Sequence, residues 1–136
     1  MKVVSYFAAS GAISGWLQDD RVFDSSWFAH DMGFIEVQEG QAIDREAQYV
    51  SGGALTARPA SPCTLDKPTV LANGTDTATI SSIPSGAVAT ITDANGTATH
   101  TITDGVIELT GDDAGTIRVT VVLFPYLDWT ATVTLT

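Results

Sequence analysis

One cysteine, two histidines and six basic residues are all that this 136-residue chain has of each kind. Cys63 sits between Pro62 and Thr64, with no histidine near it in sequence. It cannot close an internal disulfide and reads as a buried or linker thiol rather than a nucleophile. Two distant histidines and one cysteine are too few for a zinc site. No apolar run approaches membrane-spanning length, which speaks against membrane insertion. The segment Met1–Phe7 has one basic residue and no long apolar stretch, so it does not read as a secretory signal. Folding in a reducing cytoplasm is the expectation.

Against the six bases stand 16 acids, for a formal net charge of −10. Such a surface repels phosphate, so nucleic acid and anionic membranes are poor partners. The acids are scattered, with Asp19-Asp20 and Asp112-Asp113 the only adjacent pairs. Asp19, Asp20, Asp24 and Asp31 lack the alternating spacing of a calcium loop and read as solvated. The chain has no Gly-x-Ser-x-Gly elbow. His30-Asp31 follows Ser25-Ser26, but neighbours on an extended chain point apart and a catalytic triad needs convergence in space. No catalytic, cofactor-binding or metal-binding residue is assigned, and the chain is not expected to be an enzyme.

What is plentiful is threonine, alanine, valine, isoleucine and glycine, in a chain that is 44% hydrophobic and only 16% charged. β-Branched side chains fit a pleated surface, so an all-β fold is expected. Composition shifts at Ala57-Arg58-Pro59-Ala60-Ser61-Pro62-Cys63, where two prolines fix φ and remove two amide donors. The boundary is drawn there: residues 1–60 form one module and 64–136 a second.

The second module is the more legible. Trp129, Ala131, Val133 and Leu135 alternate with threonines, so one face of that strand is buried and the other wet. Ile117, Val119 and Val121 repeat the pattern, as do Ile107 and Leu109 between outward Val106 and Glu108. Asp93-Ala94-Asn95-Gly96, Asp104-Gly105 and Gly111–Gly115 mark the reversals. Asn73-Gly74 belongs to the same set and is expected to turn strand Pro68–Ala72 into strand Asp76–Ser81. Asn73-Gly74-Thr75 and Asn95-Gly96-Thr97 match the N-glycosylation pattern, but each reads as a turn followed by a strand. His100 is in phase with Ala98 and Ile102, at the edge of a core. About seven short strands imply two packed sheets, with Trp129 supplying central bulk.

The first module reads as a hairpin, Val3–Ala8 with Ala12–Leu17, then a strand at Gly33–Val37, then a Gly-Gly hairpin across Tyr49–Thr56. Trp16, Trp27, Phe28 and Phe34 concentrate aromatic area in a module too small to bury much of it. They are the candidate docking interface. Phe124 and Tyr126 are the candidate exposed aromatic contacts of the second module. Few lysines guard the strand edges, which permits a homo-oligomer.

The stretch "LDKPTVLANGTDTATISSIPSGAVATI" resembles the opening strands of bacterial immunoglobulin-like domains of the invasin and intimin kind, and "GDDAGTIRVTVV" is similar to their penultimate strand. This implies an immunoglobulin-like sandwich of about seven strands over residues 64–136. The block "YFAASGAISGWLQ … IDREAQYVSGGALTARPASP" and the ending "FPYLDWTATVTL" resemble small phage tail and virion proteins. That resemblance implies a non-enzymatic virion protein, made in the host cytoplasm, tail- or fibre-associated or decorating a capsid. Its first module would attach to other virion proteins and its second would be displayed, either in weak contact with host-surface glycans or simply spacing another component. A tail-fibre assembly chaperone and a carbohydrate-binding module are the alternatives.

Overall fold

A computed structural model describes residues 2–18, 32–38 and 40–136. The described residues are all β, without a helix. The chain divides into two compact units, Met1–Pro59 and Ala60–Thr136.

In the first unit β1 (Lys2–Phe7) is the centre of an antiparallel sheet, flanked by β2 (Ile13–Gln18) and β3 (Met32–Val37). The β1–β2 turn closes through Gly11, whose φ is +80°; the Gly11 amide donates to the Phe7 carbonyl at 2.8 Å. The pairing slips between Ser5 and Tyr6, so Tyr6 lies opposite Ile13 and Ser5 opposite Gly15. That slip puts Ile13 on the same face as Val4, where both are buried. A second hairpin, β4 (Gln48–Ser51) and β5 (Ala54–Ala57), turns at Gly52-Gly53 with φ of +59° and +77°. Two positive φ values in a two-residue loop match the right-handed strand twist. Val50 donates its amide to the Gly11 carbonyl at 2.8 Å, fastening this hairpin beside the first. Val4, Ile13 and Val50 form a core, with Tyr6, Ile35, Val37, Ile43 and Leu55 around it.

The second unit has eight strands in two sheets. β6 (Thr64–Leu65), β8 (Ala78–Ser81) and β11 (Ile107–Leu109) form one, in the order β11-β8-β6. β7 (Thr69–Val70), β9 (Ala87–Asp93), β10 (Gly96–Ile102), β12 (Gly115–Val122) and β13 (Trp129–Leu135) form the other, in the order β10-β9-β12-β13-β7. One core draws on both: Ala78, Ile80, Ile107 and Leu109 from the three-stranded sheet, and Ala87, Ala89, Ile117, Val119, Val121, Val133 and Val70 from the five-stranded one. Ile80, Val70, Val119 and Val133 are its largest fully buried side chains. The two-residue alternation of each strand produces this arrangement, since every second side chain points into the gap between the sheets. Cys63 is buried in the same core, with Ser61 Oγ at 3.1 Å from its sulfur.

Four expectations are revised. Asn73-Gly74 does not make a hairpin. β7 pairs in parallel with β13 while β8 lies in the other sheet, so the corner carries the chain between layers. Asp104-Gly105 does the same between β10 and β11. A dipeptide that permits positive φ fixes a change of direction, not the identity of the strand that follows it as neighbour. Trp129 is half-buried and packs against the core from its margin, while valines and isoleucines fill the centre. His100 is exposed, along with Ala98. Their partners Ala89 and Ile91 on β9 are buried and half-buried, so along β10 the core takes in only the last residue, Ile102.

Candidate functional site

The corner Leu71–Asp76 of the second unit is held by several hydrogen bonds. Asn73 Oδ1 accepts from the amides of Thr75 and Asp76 at 3.0 and 2.8 Å and from the Thr75 hydroxyl at 2.9 Å. An Asn side chain can substitute in this way for a backbone acceptor in a tight turn. Gly74, at φ +72°, donates its amide to the Gly111 carbonyl at 3.0 Å. A Cβ there would lie 2.3 Å from Asp112 Oδ1. Asp76 closes the corner: one carboxylate oxygen accepts from Lys67 Nζ and the other from the Leu71 amide at 2.8 Å. The Thr110 hydroxyl donates to the Asp76 carbonyl at 3.0 Å, tying the corner to the end of β11. The Lys67 hydrogen bond, followed by the Leu71 amide, holds the Asp76 carboxyl below its usual range. These bonds fix the shape of the corner and tie it to Thr110 and Gly111.

A shallow cavity of ≈ 220 Å³ lies between the β9–β10 turn and the β11–β12 loop, with Asp93, Asn95, Asp112, Asp113, Ile117 and Leu135 among its walls. It is smaller than the usual small-molecule pocket. Among the described residues no group of three or more His, Cys, Asp or Glu side chains is placed to hold a metal ion.

Of the four aromatics grouped as a docking interface, the two described ones, Trp16 and Phe34, lie on different faces. Trp16 pairs with Val4 across the β1–β2 ladder, and Phe34 pairs with Ser5 across the β1–β3 ladder. Val4 and Ser5 are neighbours on one strand and point to opposite faces, so Trp16 and Phe34 do as well. Trp16 is 51% exposed, beside the face that carries Val4, Tyr6 and Ile35, whereas Phe34 is half-buried on the other side. Trp27 and Phe28 lie outside the described residues, as do His30 and the acids Asp19, Asp20, Asp24 and Asp31. Phe124 and Tyr126 sit in the β12–β13 connection and are half-buried rather than fully presented. Leu127 beside them is 38% exposed.

The threonine-bearing wet faces expected from the alternation come together on one surface. On the outer side of the five-stranded sheet, Thr99, Thr90, Thr120 and Thr130 form a continuous cross-strand row. Thr97, Thr92, Arg118 and Thr132 form the next. Thr116, Thr134 and Thr69 make a third. Within the rows, Thr92 and Thr97 hydroxyls lie 3.1 Å apart and those of Thr120 and Thr130 3.5 Å apart. Arg118 is the only charge on these rows, so the face is uncharged and hydrogen-bonding over most of its area. The Thr-x-Thr spacing was visible in the sequence, but its alignment into rows depends on inter-strand register.

Comparisons with protein-family models, with curated proteins and with solved structures give no match.

Proposed function

We propose that this chain is a non-enzymatic structural protein of a phage virion, tail- or fibre-associated, whose second unit is a displayed immunoglobulin-like domain. The observation that carries the immunoglobulin-like part of this reading is the strand order of the Ala60–Thr136 unit. Its first strand is split between the two layers, β6 in one sheet and β7 beside β13 in the other, and β9 and β12 are adjacent in the five-stranded sheet. That division, with three strands facing a wider sheet around one core, is the arrangement expected of an immunoglobulin-like sandwich. The sequence resemblances to bacterial immunoglobulin-like domains and to small phage tail proteins point the same way.

The chemistry fits display. A sealed aliphatic core supplies rigidity, and the threonine rows keep the outer face soluble without fixed charge. The first unit, with Trp16 half-exposed beside its core, is the attachment end in this reading.

Quantitative mass spectrometry of purified phage particles assembled in the presence of the full chain tests the assignment. Retention at a fixed copy number through a density gradient is the expected result. Loss of the chain from intact particles, with recovery on free tail fibres or their precursors, would replace a virion component with a transient assembly factor.

A further inference from the structure

Most open edges of the described sheets carry a feature that discourages pairing. β6 and β7 are two residues long and lie beside Pro62 and Pro68. β11 has three residues and includes Glu108. β3 includes Glu36, and β2 carries the register slip opposite Ser5 and Tyr6. Short length, proline, charge and irregularity are the usual means by which a sheet edge is blunted.

β10 has none of them. Its seven residues, Gly-Thr-Ala-Thr-His-Thr-Ile, contain no Asp, Glu, Lys, Arg or proline and pair with β9 in an unbroken register from Gly96 to Ile102. It is the end strand of the five-stranded sheet, and all its side chains except Ile102 are exposed. Ala98 and His100, on the core-facing side, extend beyond the buried core.

We propose that β10 pairs antiparallel with β10 of a second copy of this chain, about a two-fold axis through Thr99, to make one ten-stranded sheet. The occupant follows from the residues themselves. The register centred on Thr99 is the one that pairs all seven positions. It sets Thr99 against Thr99, Thr97 against Thr101, Ala98 against His100 and Gly96 against Ile102. Cross-strand threonine pairs are favourable, and no like charges are opposed within the ladder. The axis also joins the outer rows, so Thr130-Thr120-Thr90-Thr99 continues into the same four residues in reverse order on the second copy. Asp93 and Asp104 fall outside the paired segment.

Edge pairing buries less surface than a standard stable interface, so association is weak and concentration-dependent in free solution. Tethering in an assembly raises the effective concentration and makes the same contact persistent. Each copy carries a formal charge of −10, so salt strengthens the pairing by screening the repulsion. The inference does not rest on the virion assignment: the solution test below and the particle-retention test above fail independently.

Sedimentation velocity of the full chain from about 1 μM to about 1 mM reads the association. The weight-average mass is expected to rise from 14.2 kDa toward twice that value. Thr99→Lys places like charges together at the axis, on an exposed outer side chain, and is expected to weaken association up to about fivefold. Thr99→Glu does the same. An equimolar mixture of the two variants restores association, because unlike charges then meet. A wild-type chain that stays monomeric throughout overturns the proposal. So does a dimer indifferent to Thr99→Lys, or a mixture no more associated than either variant alone.

Discussion

Replacing Ile80 by alanine tests whether the two sheets of the second unit stand on one core. Ile80 is fully buried in the middle of β8, opposite Ile107 on β11 and Leu65 on β6. The change removes three carbon atoms from water-free surroundings, at about 0.8 kcal/mol each. The cavity left behind adds about 1 kcal/mol, because β-strands on either side resist collapse. The expected loss is therefore about 3–4 kcal/mol, a large share of the stability of a small domain. Hydrogen exchange of the full chain, resolved by peptide, is the assay. If the core is shared, exchange from globally protected amides accelerates by roughly 150- to 900-fold in β8 and β11 and equally in β9, β12 and β13. Thr132→Ala, on the exposed outer face of β13, is the control and changes stability by less than about 0.5 kcal/mol. Acceleration confined to the three-stranded sheet, with β9 and β12 untouched, would refute the shared core.

Two further outcomes follow from single contacts. Gly11→Ala is expected to cost about 3 kcal/mol in the first unit, since a Cβ would meet the Val50 carbonyl oxygen at 2.1 Å in a backbone with φ +80°; calorimetry of the full chain should show this transition shift while the second unit's stays in place. The Asp76 carboxyl is lowered in the folded state by Lys67 and the Leu71 amide, so its contribution is present above the unfolded-state value and is lost as pH falls through the lower folded-state one. Asp76→Asn should flatten that acid limb in thermal melts measured across the carboxylate range, and an unchanged limb would remove Asp76 from the account.

Trp16 and Phe34 show how far residue type alone can lead. Both are large, apolar and close in sequence to other aromatics, which suggested one surface. Their positions opposite Val4 and Ser5 put them on different faces, and that parity depends on the slip between Ser5 and Tyr6 and on β3 choosing β1 as its neighbour. Neither is a local property. His100 teaches the converse: its alternation with Ile102 was read correctly, but on β10 only Ile102 joins the core and His100 lies beyond its margin.

The period-two alternation by itself determined that the chain is β, which side chains of β11, β12 and β13 face inward, and where the chain bends, because strand geometry and positive-φ turns are written in adjacent residues. Tertiary structure alone decided which bends are hairpins and which are crossings between layers, and that β7 runs parallel to β13 from the far end of the unit. It also decided that threonines from five strands align into rows and that β10 is left with an open, uncharged edge. Those outcomes depend on register and sheet order, which are set by pairing between residues distant in the chain, and no short stretch contains that information.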